Sequence, residues 1–322
     1  MKSNKALGIL LILIGVAALI YVLGNDGKIP FGKWFSNFTA QVGEQQSFPS
    51  DELSNIDIES DSLDVNIVRG SGDDVVVTLA GRATKGIADN FTLDAEQNGD
   101  TLKLTLQSDD SFRLGFHWSD VEMTVELPDK AWNEINARLS SGDLSLEGIQ
   151  AESAALRSGS GDVKAVSLNA SGEAVLEAGS GDIEIEDITA EAIRAKSNSG
   201  DIEIERYEAR LLDFDAASGD VALEDGFAEL KGEAGSGNIH VNADELRYDS
   251  VLKNGSGDIS IDLAKEPEAL TVSIRSGSGD AEVLKDGFVP QGNNDDNDAN
   301  GMFGTGSVKL QASSGSGDIV LR

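Results

Sequence analysis

One short turn recurs along this chain. Ser158-Gly159-Ser160-Gly161-Asp162 and its variants end in Asp143, Asp162, Asp182, Asp201, Asp220, Asn238, Asp258, Asp280 and Asp318. The successive separations are 19, 20, 19, 19, 18, 20, 22 and 38 residues, the last being twice 19. A fixed period near 20 residues marks a stacked-repeat architecture, because no such unit buries its own apolar face and neighbours must share one core. Counted from the acidic residue, the first and third positions beyond it are apolar: Leu144/Leu146, Ile183/Ile185, Ile202/Ile204, Val221/Leu223, Ile239/Val241, Ile259/Ile261 and Ile319/Leu321. Polar or small residues separate them, and that alternation is a β-strand with one face buried.

A second strand runs into the turn, with apolar pairs at Ile135/Ala137, Ile193/Ala195, Leu212/Phe214 and Val272/Ile274. A further apolar position, at Ile149, Leu168, Ile188 and Tyr207, fills a corner. The predicted class is all-β: a β-solenoid, β-helix-like, with 19–20-residue coils stacked at the inter-strand distance of about 4.8 Å. The 36 glycines are then mostly corner pieces. Only 5 prolines occur, as expected where nearly every amide joins a ladder.

Ahead of the repeats, residues 6–23 form an apolar run without a charge, preceded by Lys2 and Lys5. Its length just spans a bilayer core of roughly 30 Å. It therefore reads as an N-terminal transmembrane helix, with a cleaved signal peptide as the competing reading. The lysines place the N-terminus in the cytoplasm and the remainder outside the cell membrane. Residues 25–51 read as a juxtamembrane linker, with Phe31, Trp34, Phe35 and Phe38 near the headgroups or plugging the first coil. Residues 52–136 alternate less regularly and read as wider first coils of the same solenoid, a separate small β-domain being the runner-up. The turn Arg69-Gly70-Ser71-Gly72-Asp73 looks like an early copy of the repeat. Regular repeats run from 137 to 322, with an acidic insertion at 286–306 that hangs a long loop on one coil.

Charge and composition exclude several chemistries. With 25 basic and 57 acidic residues the net charge is −32, which removes the basic footprint that nucleic acid needs and favours attraction of cations. The absence of cysteine removes disulfides, thiol catalysis and an N-terminal lipidated cysteine. No phosphate-binding glycine loop, nucleophile elbow or histidine metal spacing occurs, so nothing points to an enzyme.

Three groups of residues remain as candidate sites. Asp296, Asp298 and Asn300, followed by Gly301, match the first half of a calcium loop. The twelfth position is Ser307 and no helices flank it, so a polar disordered loop is the stronger reading and Ca2+ the sharper one. The recurring aspartates stack into a row that either bonds to local turn amides or binds divalent cations. Phe116, His117 and Trp118 form either a binding edge or a hydrophobic corner. His240, between Ile239 and Val241, faces solvent.

The anchor, the alternating strands and units such as SGDLSL, SGDIEI, SGDVAL and SGDISI resemble the bacterial "putative adhesin" β-strand-repeat family of unknown function. That family includes the membrane-anchored LiaG-like proteins of Gram-positive envelope-stress operons. The resemblance covers roughly residues 50–322 and implies a surface-exposed solenoid of the cell envelope, with no catalytic residues to carry over. The expected role is non-enzymatic: adhesion, binding or envelope-stress interactions, with cell-wall polymer or envelope proteins as partners. The alternatives are a polysaccharide-active β-helix enzyme and a solenoid that polymerises end to end. Ile319-Val320-Leu321-Arg322, with no obvious cap after it, is the feature that favours the last.

Overall fold

The computed structural model describes residues 39–84, 91–108, 119–292 and 294–322. Among these the regular elements are strands, joined into a single sheet system, and no helix is long and apolar enough to cross a membrane. The apolar run at 6–23 and the aromatics at 31–38 lie outside the described residues.

Each middle coil follows the sequence pattern. In the coil that starts at Asp143, strand Leu144–Glu147 leaves the turn and strand Gln150–Ser158 runs into the next one. Leu144, Leu146, Ile149, Ala151, Ala154 and Leu156 all point into the core. Full burial of a leucine or isoleucine side chain is worth about 1.5–3 kcal/mol. Stacking is parallel and in register: Leu144 pairs with Val163, Val163 with Ile183, and Ile183 with Ile202. The corner residues Ile149, Leu168, Ile188 and Tyr207 are buried as expected.

The residue before each of these four is left-handed, with φ of 72° at Gly148, 53° at Ser167, 55° at Asp187 and 51° at Arg206. In the coils from Asp182 and Asp201 the strand runs unbroken through that corner, as Ile183–Ser197 and Ile202–Ser218. Large core rings are matched by glycine in the neighbouring coil. A Cβ on Gly232 would lie 1.8 Å from Phe214 Cζ, and one on Gly226 would lie 2.3 Å from the Tyr207 ring. Burial pushes the Tyr207 phenol well above its ordinary pKa.

At both ends, spatial order departs from chain order. Strands Asn55–Ser60 and Asp64–Arg69 make a coil that fits between later elements. Asn55–Ser60 lies between Thr101–Ser108 and Ala131–Leu139. Asp64–Arg69 lies between Ser119–Leu127 and Leu144–Glu147. Outside them the pairing turns antiparallel, Phe91–Asn98 on Thr101–Ser108 and Asp74–Thr84 on Ser119–Leu127. The expected linker at 25–51 is strand over most of its described part: Thr39–Pro49 pairs along its whole length with Asp74–Thr84. Lys130 fastens the turn after that strand, its Nζ donating to the Ser50 and Leu53 carbonyls at 2.6 Å and lying 4.3 Å from the Trp132 ring centre.

The other end repeats the device. Val308–Ser314 sits between Ser250–Ser256 and Leu270–Ser276, and Ile319–Leu321 between Ile259–Leu263 and Ala281–Val283. The doubled gap of 38 residues is therefore not one coil carrying a loop. It is a coil at the end of the stack, then an excursion, then a return into the interior. Ile319 and Leu321 are fully buried, so the expectation of an exposed, uncapped edge there is corrected. The excursion closes the stack instead, with Asp298–Met302 antiparallel to Leu270–Ser276 and Phe288 against Phe303 at 5.4 Å. Covering an edge with a further segment is a known protection against edge-to-edge growth.

Candidate functional site

The feature common to the whole stack is the row of turn acids. Among the described residues, nine bonds link them, with each Oδ1 accepting the backbone N–H of the corresponding residue in the adjacent coil at 2.7–3.0 Å. The row runs Asp64, Asp143, Asp162, Asp182, Asp201, Asp220, Asn238, Asp258, Asp318, Asp280. The bonds thus run between coils, not within one turn. Asn238 takes part with its amide oxygen, so the position requires an acceptor and not a charge. A carboxylate accepting a backbone amide is a charge-assisted bond, stronger than a neutral pair.

A second row reinforces it from four residues earlier. Ser158, Ser197, Ser314 and Ser276 donate Oγ, and Asn254 donates Nδ2, to turn-glycine carbonyls one coil away at 2.7–3.0 Å. From Asp143 onward the turns touch so closely that the glycine before the acid has no room for a side chain. A Cβ on Gly161, Gly181, Gly237 or Gly317 would lie 2.0–2.2 Å from the carbonyl oxygen beneath it.

Beside this row runs a shallow groove of about 400 Å³, lined by Asp143, Asp162, Asp182, Asp201, Ser145, Lys164, Glu184 and Glu203 among others. Glu186, Glu205 and Glu224 continue the acidic face at the next outward position. Cations on it are committed to its carboxylates, within a coil and between coils. Lys164 Nζ meets Glu184 at 2.5 Å, and Arg206 binds Asp187 and Glu205 at 2.7 Å as well as Glu186. These acceptors raise the pKa of both cations. Exposed pairs of this kind add little stability, but they leave the face strongly anionic between Asp182 and Asp225.

The acidic insertion is ordered over its described residues, in place of the disordered loop expected. Asp295 Oδ1 accepts the amides of Asn297 and Asp298 at 3.0 Å, and Asn294 Oδ1 accepts that of Asn300 at 2.7 Å. Asp296 sits in the turn, Asp298 meets Arg275 Nε at 2.5 Å, and Asn300 Oδ1 accepts Ser273 Oγ at 2.9 Å. The three supposed calcium ligands are therefore not gathered around one point. Among the described residues, no cluster of three or more acidic, His or Cys side chains is arranged to hold a metal ion. Phe116, His117 and Trp118 lie outside the described residues. His240 is partly exposed, its Nδ1 3.5 Å from Asp262.

Sequence reasoning missed Asp64, the first member of the row, because its turn, Ser60-Asp61-Ser62-Leu63-Asp64, has no glycine. The signal that could have found it is Asp64-Val65-Asn66-Ile67, which keeps the acid-apolar-polar-apolar order. The glycine-containing copy at 70–73 belongs instead to the connection into the antiparallel strand Asp74–Thr84.

The Toastrack DUF4097 family matches residues 53–322 of the chain. Among curated proteins nothing matches. Solved structures similar to this chain include a putative adhesin from Bacteroides fragilis NCTC 9343, 13% identical, covering 87% of this chain and 97% of that one with a TM-score of 0.42. Another is a putative adhesin from Parabacteroides distasonis ATCC 8503, at 10%, 88%, 97% and 0.37 in the same order. A putative lipid binding protein from Parabacteroides distasonis ATCC 8503 gives 12%, 87%, 97% and 0.40.

Proposed function

The chain belongs to the Toastrack DUF4097 family, and from that premise we propose that it is a non-enzymatic, membrane-anchored protein of the cell envelope. Its solenoid is a rigid display scaffold, and the acidic face beside the turn row is the binding surface. The observation that carries this reading is the coupling of the two. The bonds that lock coil to coil are made by the same aspartates that line the groove, so the face is presented at a fixed spacing without the cost of ordering it. A surface of this charge selects partners with repeated positive or donor groups, such as a basic segment of an envelope protein or an aminated wall polymer. The antiparallel strands that cover most of each end support a monomeric scaffold over a filament. The apolar run at 6–23 supports the anchor, with the body outside the cell.

The test uses the full chain expressed in cells. Protease added to intact cells should remove the body while the anchor stays in the membrane fraction. The extracted full chain should bind polylysine and not polyglutamate, in a salt-dependent manner. Replacing Glu184, Glu186 and Glu203 by glutamine should weaken the polylysine signal more than replacing Asp213, Glu229 and Glu233, which lie off this face, by their amides. Equal weakening by the two triple variants overturns the choice of face. A body protected from external protease overturns the location.

A further inference from the structure

The coil at 308–322 is held by two neighbours that both precede it in the chain. We propose that the slot between the coils at 250–263 and 270–283 is a strand-acceptor site, whose exchange ligand is the 308–322 segment of a second copy of this chain.

Four observations carry this. First, the segment fills the slot as a complete unit: both its strands are hydrogen-bonded on both sides, and Leu310, Ala312, Ile319 and Leu321 are buried. Removing it would leave two unpaired parallel edges facing each other across a gap of about 9.6 Å, twice the strand spacing. That is the geometry a two-strand insert satisfies and water does not. Second, the slot is selective. Asp258 accepts the Asp318 amide, Gly257 accepts Ser314 Oγ, and Asp249 accepts the Lys309 amide. A Cβ at position 317 would meet the Gly257 carbonyl oxygen at 2.2 Å. An occupant must therefore carry this chain's own turn, which points to a second copy.

Third, the connection into the segment turns on two glycines, tied by a side chain where Thr271 Oγ1 donates to the Gly306 carbonyl at 2.7 Å. Gly304 and Gly306 both have positive φ, at 51° and 64°. The amides of Thr305 and Gly306 make bonds of 3.4 and 3.2 Å, and 304–305 is exposed. Glycines in such a connection re-aim with little penalty, and exchanging identical elements between copies preserves every contact. Fourth, the segment carries Lys309 and Arg322 against a single acid, Asp318, in a chain of net charge −32. It is attracted to the body of another copy although the two bodies repel. Arg322 bonds Asp262 in the slot wall. Screening the repulsion between bodies with salt should promote exchange.

The experiment refolds the full chain in detergent at low and high protein concentration, with and without the synthetic peptide 307–322, and reads mass by native mass spectrometry. Dimers should appear at high concentration, increase with salt, and give way to monomers carrying one peptide each when peptide is in excess. Peptide bearing Gly317→Val should be taken up at least about tenfold less. A second arm avoids refolding. The folded chain is cut at a protease site placed between Thr305 and Gly306, then held just below its melting temperature with labelled peptide, which should replace the resident segment. A chain monomeric at every concentration and salt, dimers indifferent to excess peptide, or a cut chain that takes up no label would each overturn the proposal. Uptake of peptide without dimers would overturn the assignment to a second copy.

Discussion

The middle of this molecule and its two ends are made of the same coil and obey different rules. Between Asp162 and Asn238 each coil lies against the coil before it and the coil after it in sequence. At 55–69 and 308–322 the coil is instead gripped by segments remote in the chain, and the outermost pairings become antiparallel. The middle is a local structure that any number of repeats could extend. The ends are non-local closures that fix where the stack stops. Contacts between distant segments cost loop-closure entropy, and what they return here is a terminal strand, Leu270–Ser276, covered on its outer side by an antiparallel one.

The sharpest way to break the comparison is through glycines of identical sequence context. Gly181 lies in a stacked turn, where a Cβ would sit 2.2 Å from the Gly161 carbonyl oxygen. Gly72 lies in the 70–73 turn, where a Cβ would meet nothing within 4 Å. Gly181→Val should lose at least about 3 kcal/mol of stability, or fail to fold, since the obstacle is backbone that cannot yield. Gly72→Val should stay within about 0.5 kcal/mol of the parent. Urea midpoints on the two variants measure both. Equal effects would show that the early copy is stacked after all.

The next largest effect concerns the inserted coil. Ile319 is fully buried and Val289, on the closing excursion, is 56% exposed. Ile319→Ala should cost about 2–5 kcal/mol and Val289→Ala less than about 0.5 kcal/mol. Were 308–322 an exposed last coil, the two would differ far less.

This contrast also explains what was legible in the sequence. The strands, their buried faces and the corner residues Ile149, Leu168, Ile188 and Tyr207 could be read because one period repeats the same local demand in every coil. The insertion could not, because spatial order is not a local property. Asp318 looks the same whether its neighbour is Asp280 alone or Asp258 and Asp280 together. The role of the turn acids was half legible. An aspartate in a glycine-serine turn announces a bond to an amide, but only stacking shows that the amide belongs to the next coil. Asn238 held the clue, being the one member of the predicted row that keeps an acceptor and drops the charge. Asp64 was hidden for the converse reason, its turn lacking the glycines while its geometry is kept.

The row itself gives a smaller effect. Asp182→Ala would remove the acceptor of the exposed Asp201 amide, which should cost about 0.5–1.5 kcal/mol. Asp182→Asn, imitating position 238, should recover most of that. Thermal melting of the pair separates hydrogen bonding from charge. If asparagine were as damaging as alanine, the charge would be the requirement, and a cation-binding role for the row would regain ground.

The smallest effect is a pH dependence at the inserted coil. The Arg322 guanidinium beside Asp262 holds its carboxyl below the usual carboxylate range, helped by Ser260 and by His240, although partial burial works the other way. A carboxyl depressed in the folded state contributes its stability in full above the unfolded value of about 3.9. That stability is lost as pH falls through the lower folded value. Because Arg322 is more than half exposed, the contribution should not exceed about 1 kcal/mol. Urea midpoints from pH 6 to about pH 2.5 should fall more steeply for the parent than for Asp262→Asn, with the two curves converging at the acid end. Arg210→Ala is the matched control, because it removes the exposed pair with Glu191 and leaves Asp262 and the inserted coil intact. Its curve should retain the steeper acid slope. If it flattened equally, the slope would belong to acidic self-repulsion across the whole chain and not to the bond that fastens 308–322.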